Sequence, residues 1–313
     1  MGRMTTSWIV GAAGQLGTAL RDRADRAPRG SAVRALTSAD IDLTDPASVA
    51  TALTGLRPGD VVINAAAYTD VDGAETDADT AAAVNTTGPG LLARACARAD
   101  AWLIHVSTDY VFTGPPAGSA GAGRPVPATP YEPDDLAADA TPPTVYGATK
   151  LAGERAARSA DPAATVIRTA WVYTGGPQSR DFVGTMRRLE RDRATISVVD
   201  DQTGSPTYAR DLADGLWELA RGGRRPAVAG ATLHATNAGA VTWWGVARAV
   251  FAEVGADPER VHPCGTDDFP RPAPRPAYSV LSQRSWTAAG LTPLRDWSAA
   301  LHAAVSDATV GTR

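Results

Sequence analysis

Cysteine is almost absent. Cys96 and Cys264 are the only two, and they lie far apart. Two distant thiols make no disulfide framework and no metal-ligand spacing, so a reducing cytoplasm is the expected compartment. No apolar run approaches the roughly 18–20 residues that span a bilayer, and no membrane partner is expected. Basic residues form no run or stripe. With 20% charged residues of both signs and a net charge of -4, nucleic acid is not an expected partner either. No His/Asp/Glu cluster has metal-ligand spacing, so no bound metal is expected, and no internal repeat is present. The opening MGRMTT matches a myristoylation pattern through Gly2 and Thr6. An apolar strand starts within a few residues of it, so an unmodified N-terminus is expected.

What is present is a chain of 313 residues, 44% hydrophobic, enough for a large α/β domain and a smaller one. Short apolar strands are predicted at 8–10, 33–36, 61–63, 102–106 and 165–168. Helical patterns fall between them at 15–26, 46–56, 76–99 and 145–159. Strands separated by helices imply βαβ crossovers and a parallel sheet. The stretch from Gly114 to Pro143 breaks this rhythm. Its GPPAGSAGAGRPVPATP cannot hold a helix and has almost nothing to bury, so a mobile surface insertion is expected. After about Trp171 the rhythm becomes irregular, with helices predicted in TWWGVARAVFAEVG and at about 294–306.

Three constellations carry chemistry. WIVGAAGQLGTAL places Gly11, Gly14 and Gly17 between a strand and a helix. Gly11 permits a tight turn, Gly14 lets backbone approach a pyrophosphate, Gly17 allows close helix–strand packing, and the helix N-terminus offers free N–H donors. A dinucleotide is the expected ligand. The second strand ends in Leu36-Thr37-Ser38, which is neither the acid that favours NAD nor the arginine that favours NADP. Asp42 and Leu43 follow as contacts for an adenine, and Arg34 lies inside the strand. NADPH and NADH both stay open, with NADPH preferred. In VVINAAAYTDVD, Asn64 and the small Ala65-Ala66-Ala67 would let a flat cofactor lie against backbone. In TVYGATKLAGE, Tyr146 and Lys150 share one helix face. An ammonium one turn away favours the phenolate of a phenol whose reference pKa is roughly 10, and so prepares it for proton transfer.

These motifs, with HVSTDYVFTG, IRTAWVY, DQTGSPTYARDLA and RPAYSVL, resemble in order and over almost the whole chain the dTDP-4-dehydrorhamnose reductase family. That family belongs to the extended short-chain dehydrogenases/reductases. The resemblance implies a Rossmann-type doubly wound α/β fold with a smaller α/β C-terminal substrate domain. Residues 1–171 would form the dinucleotide-binding domain, with later segments returning to it, and 172–313 mainly the substrate-binding domain. It implies NAD(P)H-dependent reduction of the C4 ketone of a dTDP-4-dehydro-6-deoxyhexose, foremost dTDP-4-dehydro-L-rhamnose. Tyr146 would protonate the developing alkoxide, Lys150 would hold the nicotinamide ribose and bias the tyrosine, and Thr108 would bond the carbonyl oxygen. Cofactor contacts would come from Gly11, Gly14, Gln15, Leu16, Gly17, Asp42, Leu43, Ala65, Ala66 and Ala67, together with Tyr146 and Lys150. Substrate contacts would come from Thr108, Asp109, Trp171, Gln202, Gly204, Thr207 and Arg275.

Two departures stand out. The insertion after Gly114 is longer than the family carries there. Ala19 occupies a position where some members bind magnesium at a dimer interface, so neither that metal nor that dimer carries over, and a monomer or homodimer is expected. Three rivals remain. The first is a sugar-nucleotide dehydratase or epimerase. Dehydratases follow Thr with an Asp-Glu pair, whereas Asp109-Tyr110 stands here and a phenol does not replace that base. Residue chemistry alone leaves C4 epimerisation open, and only the whole-chain resemblance speaks against it. A 4-ketoreductase for another dTDP-deoxysugar would share every motif, and a regulatory subunit that only binds a dinucleotide would keep the same loop. Isolated residues read as structural. His105 is expected as a satisfied core histidine, Trp243 and Trp244 as packing residues, and His234 and His262 show no partners.

Overall fold

The computed structural model describes residues 5–112, 114 and 129–310. Gly2, and residues 115–128 of the expected insertion, lie outside them.

Apolar strands bounded by turns and helices build a six-stranded, all-parallel sheet. The chain runs through β1 (Thr6–Val10), α1 (Gln15–Asp22), β2 (Ala32–Leu36), α2 (Pro46–Ala52) and β3 (Val61–Asn64). It continues through α3 (Val71–Ala74), α4 (Ala78–Ala82), α5 (Gly88–Ala99), β4 (Trp102–Thr108), α6 (Val145–Ala160) and β5 (Thr165–Thr169). The second part comprises β6 (Val172–Tyr173), α7 (Phe182–Asp192), β7 (Ile196–Val199), β8 (Thr203–Gly204), β9 (Thr207–Tyr208), α8 (Ala209–Gly222) and β10 (Thr232–His234). Last come β11 (Val241–Thr242), α9 (Trp243–Glu253), β12 (Val261–Cys264), α10 (Arg284–Ala288) and α11 (Trp297–Val310).

The strand order is β10-β5-β4-β3-β1-β2. Its direction reverses between β1 and β3, the point where ligands of open α/β sheets bind. β10 pairs with β5, Thr232 opposite Val166, so the sheet is completed from the second half of the chain. One sheet face is covered by α1 and α8, whose Leu16, Leu20, Leu212, Leu216 and Trp217 pack with Ile9, Ile104, Ile167 and Trp286. The opposite face packs Val10, Val62 and Leu103 against Val49, Leu92, Cys96 and Ala157. A separate core, built from Tyr173, Val183, Met186, Val250, Phe251 and Leu301, joins α7, α9 and α11.

Two predicted helices end earlier in the structure: the first stops at Asp22, where Ala24–Arg26 forms a 3₁₀ turn, and the one predicted over 46–56 stops at Ala52. The helix expected over 76–99 is present and continuous from Ala78 to Ala99, with a π-helical turn at Ala83–Thr87 between α4 and α5. Pro89, at the start of α5, has no N–H to give the carbonyl of Asn85, which removes one α-helical bond. Gly153 of α6 packs onto that carbonyl so closely that a Cβ would collide with it.

The described end of the insertion is anchored, contrary to expectation. Tyr131 bridges to Leu281 and stacks on Phe112 at 4.3 Å, and Ala140 is buried. An aromatic residue just past the Gly/Pro tract supplies the burial that the tract itself lacks.

Candidate active site

The carboxyl ends of β1, β3, β4 and β5 open into a cavity of about 860 Å³. Gly11 has φ +84°, and a Cβ there would sit 2.6 Å from the nitrogen of Ala66. Only glycine allows the β1 turn to lie this close to the β3 turn. The first N–H groups of α1 have no side-chain cap, which leaves them as anion donors. The β3 turn is fixed from behind. Asn64 Oδ1 accepts from the Ala66 N–H at 3.1 Å, and its Nδ2 donates to His105 Nδ1 at 3.0 Å. His105 is wholly buried. Burial and the nearby Lys150 charge hold it well below the usual histidine range, so it is a neutral support.

Gly11, Gly14, Gln15, Leu16, Asp42, Leu43, Ala65, Ala66, Ala67, Thr108, Asp109, Tyr146, Lys150 and Trp171 all line this one cavity. Gly17 does not. It lies behind the loop, where a Cβ would run into the Gly11 carbonyl oxygen. Thr37 and Ser38 also line the cavity, and Asp40 is turned to the Thr37 N–H and hydroxyl. Arg34 lies over the Trp8 ring, 4.7 Å from its centroid, and is not among the lining residues.

Four predicted substrate residues sit outside the lining. Gln202 donates to Thr266 Oγ1 at 2.9 Å, and Thr207 is buried, with its hydroxyl donating to the Ser205 carbonyl. Gly204 packs against the Trp171 ring. Arg275 is held by Asp72 at 2.7 Å, and its charge acts on Tyr110.

At the centre, α6 carries Tyr146 and Lys150 one turn apart, while β4 delivers Thr108. Thr144 caps α6 through the Gly147 N–H at 3.0 Å, which sets where the helix starts and so where the phenol points. Lys150 Nζ donates to the Val106 carbonyl at 2.7 Å. Burial lowers its pKa to about 8, opposed by the carboxylate of Glu154. The Thr108 hydroxyl donates to Asp109 Oδ1 at 2.9 Å and accepts from the Tyr110 N–H at 3.3 Å. Asp109 is buried, and desolvation raises it to about 6, against the pull of the Ser279 and Thr108 hydroxyls.

Tyr146 departs from the sequence expectation. Burial pushes its phenol up to about 12, with the Thr108 hydroxyl pulling the other way. Desolvation is the largest influence on this phenol, and the nearby Asp109 acts in the same direction. The phenol is therefore protonated at neutral pH, which is the form a donor needs. Tyr110 stands edge-on to it, centroids 5.4 Å apart, and desolvation also raises the Tyr110 phenol.

Sequence reading missed three features. Ser107 and Arg168, opposite each other in register, both bond to the buried Glu154. The signal was Glu154 standing four residues after Lys150 on the same face. Trp243, expected only to pack, lines the cavity and stacks on Trp171. No local pattern marks it, since β11 pairing with β8 brings it there. His234 also has a partner, with its Nδ1 3.0 Å from the Tyr131 carbonyl.

Among the described residues, no three His, Cys, Asp or Glu side chains group as metal ligands. No helix there is long and apolar enough to cross a membrane. Cys96 and Cys264 are free thiols.

The chain is similar to known proteins over almost its whole length. The family profile described as RmlD substrate binding domain matches residues 5–310. The chain is 54% identical over 305 residues to a dTDP-4-dehydrorhamnose reductase of Mycobacterium tuberculosis, covering 97% of this chain and 94% of that one. It is 46% identical to a probable dTDP-4,6-dihydroxy-2-methyloxan-3-one 4-ketoreductase of Streptomyces antibioticus, covering 96% and 95%. A dTDP-4-dehydrorhamnose reductase of Bacillus anthracis, solved in complex with NADP, superposes with a TM-score of 0.83 at 30% identity, covering 97% of this chain and all of that one. The chain thus belongs to the dTDP-4-dehydrorhamnose reductase family.

Proposed function

We propose that the protein reduces the C4 ketone of a dTDP-4-dehydro-6-deoxyhexose with NADPH, converting dTDP-4-dehydro-L-rhamnose to dTDP-L-rhamnose. The observation that carries this reading is the meeting of Thr108, Tyr146 and Lys150 in one cavity with the glycine loop. The cavity fits a dinucleotide. It has a strand-to-helix turn that only glycine can make, uncapped helix N–H groups, and an alanine floor at β3. NADPH is preferred because β2 ends in Thr37 and Ser38, whose hydroxyls line the cavity in place of the acid that would favour NADH. A reduced nicotinamide held in this cavity supplies the hydride.

The chain's own groups do the rest. Thr108 turns its hydroxyl from Asp109 to the ketone oxygen and stabilises charge as it develops there. Tyr146, kept protonated by burial, gives its proton to that oxygen. Lys150, with its charge held near β4, holds the cofactor ribose and stabilises the phenolate left behind. Residues of the third core, around Trp171 and α9, form the substrate side. Relatives such as the dTDP-4-dehydrorhamnose reductase of M. tuberculosis support the same reading.

The test is incubation with NADPH and dTDP-4-dehydro-L-rhamnose, following loss of reduced-nicotinamide absorbance and identifying the product by NMR. Stoichiometric dTDP-L-rhamnose supports the reading. Cofactor binding with no turnover of any dTDP-4-keto-6-deoxyhexose overturns it. Tyr146→Phe should keep NADPH affinity and lose activity by about 10²-fold or more.

A further inference from the structure

Trp171 is held on two sides. Its backbone is left-handed, φ +48°, a state a bulky residue keeps only where its surroundings fix it. Trp243 covers one indole face, with centroids 3.5 Å apart and planes within 7°. The backbone of Gly204 meets the Cε2, Cζ2 and Nε1 atoms of the same ring, and a Cβ at Gly204 would collide with them. Behind Trp243 lies Phe182, tilted at 48° with its centroid 4.5 Å away.

The pairing of β8 with β11 builds this unit. Gly204 stands opposite Val241 and Thr203 opposite Thr242, and Thr242 caps α9 through the Gly245 N–H. Trp243, the first residue of α9, is thereby placed over Trp171. Both indoles line the cavity, so a ligand that reaches Trp171 also meets its partner.

The register says which part of a ligand that is. Thr108 pairs with Thr169, and Trp171 lies two residues further on, at most about 7 Å of chain. The wall therefore stands beside the ring that bears the reacting carbonyl, and a nucleoside beyond a diphosphate would lie further off. With Gly204 against the outer face of Trp171 and Phe182 behind Trp243, the stacked indoles offer their apolar edges to the cavity, a surface suited to the C–H groups and methyl of a 6-deoxyhexose.

We infer that Trp243 is a substrate-binding residue that forms, with Trp171, one apolar wall for the sugar ring. This rests on the reductase reading above.

The test uses the full-length protein, NADPH, dTDP-4-dehydro-L-rhamnose and dTDP alone. Trp243→Ala should raise KM for the sugar nucleotide by about tenfold or more, with kcat within about threefold. Its affinities for NADPH and for dTDP should match wild type, and Trp243→Phe should restore most of the KM. An unchanged or lowered KM overturns the inference, the latter because Trp243 would then be a plug. Equal weakening of dTDP also overturns it, because the wall would then hold the nucleoside. If Trp243→Ala loses NADPH binding, Trp243→Leu replaces it and is compared with Trp243→Phe. Equal KM values in that pair overturn the inference. Absence of turnover in the wild type sinks the reductase reading itself and this inference with it.

Discussion

Glu154 of α6 and Arg168 of β5 form a bidentate pair, Nε to Oε1 at 3.0 Å and Nη2 to Oε2 at 2.9 Å, with each side chain only 4% exposed. The Ser107 hydroxyl adds a bond to Oε1 at 2.5 Å. The helix bearing Tyr146 and Lys150 is thus fastened to β5 by a buried ion pair, and to β4, the strand bearing Thr108, by the Ser107 bond to the same carboxylate. Glu154→Gln would leave the Arg168 guanidinium buried without its anion. The expected loss of stability is about 3–5 kcal/mol, and Glu154→Gln combined with Arg168→Met should recover much of it. Urea unfolding of both variants decides. A loss below about 1 kcal/mol in the single variant contradicts a buried pair.

The pH dependence of Asp109 runs in one direction. Its folded pKa, about 6, lies above the ordinary 3.8. The folded state therefore holds the proton more tightly between those values, and stability contributed by the neutral carboxyl is lost as pH rises through about 6. Asp109→Asn keeps the acceptor for Thr108 and removes the buried charge. Above pH 6 it should be more stable than wild type by up to about 3 kcal/mol, and the gap should close towards pH 4. Unfolding curves at pH 4, 5 and 8 check this, and a gap constant with pH refutes it.

Lys150 has the opposite sign. Its folded pKa, about 8, is below the ordinary 10.5. Between those values the unfolded chain holds more protons, so this group raises stability as pH climbs while the site loses its cation. NADPH affinity, read by fluorescence titration, should fall as pH passes about 8. In Lys150→Met it should be low and flat over the same range. A wild-type affinity unchanged up to pH 9 would show that the ammonium does not hold the cofactor.

Gly17→Ala tests the fit of α1 against the glycine loop. The added methyl would strike backbone, the Gly11 carbonyl oxygen and Ala12 Cα, with no flexible side chain to yield. The helix must back away from the turn, which costs about 1–3 kcal/mol and moves the N–H groups meant for phosphate. NADPH affinity should drop at least about tenfold while dTDP binding persists. Equal NADPH affinity would mean that α1 takes no part in the phosphate site.

How far the sequence carries depends on where each signal is local. The glycine turn, the alanine floor and the Tyr146–Lys150 face are each written in a few adjacent residues, and all of them reach the same cavity. The strands, too, are short apolar runs between breakers. The long helix expected over 76–99 is legible too, and the π-helical turn inside it has a local signal that alanine richness masked, Pro89. Trp243 could not be read, because its role comes from β8 meeting β11 across nearly forty residues. The phenol of Tyr146 was misjudged for a similar reason. A lysine four residues away is visible in sequence, whereas the burial that outweighs it is set by the whole fold.

The pairing of β10 with β5 also bears on how the chain can be made. The sheet that presents the glycine loop gains its last strand from residues 232–234, and Leu212, Leu216 and Trp217 of α8 cover its α1 side. A nascent chain that has emerged only to Trp171 holds every motif of the dinucleotide site. It also carries an open strand edge and a bare apolar face at β5. A chain released near the middle is therefore expected to aggregate through that edge and face rather than fold as half an enzyme.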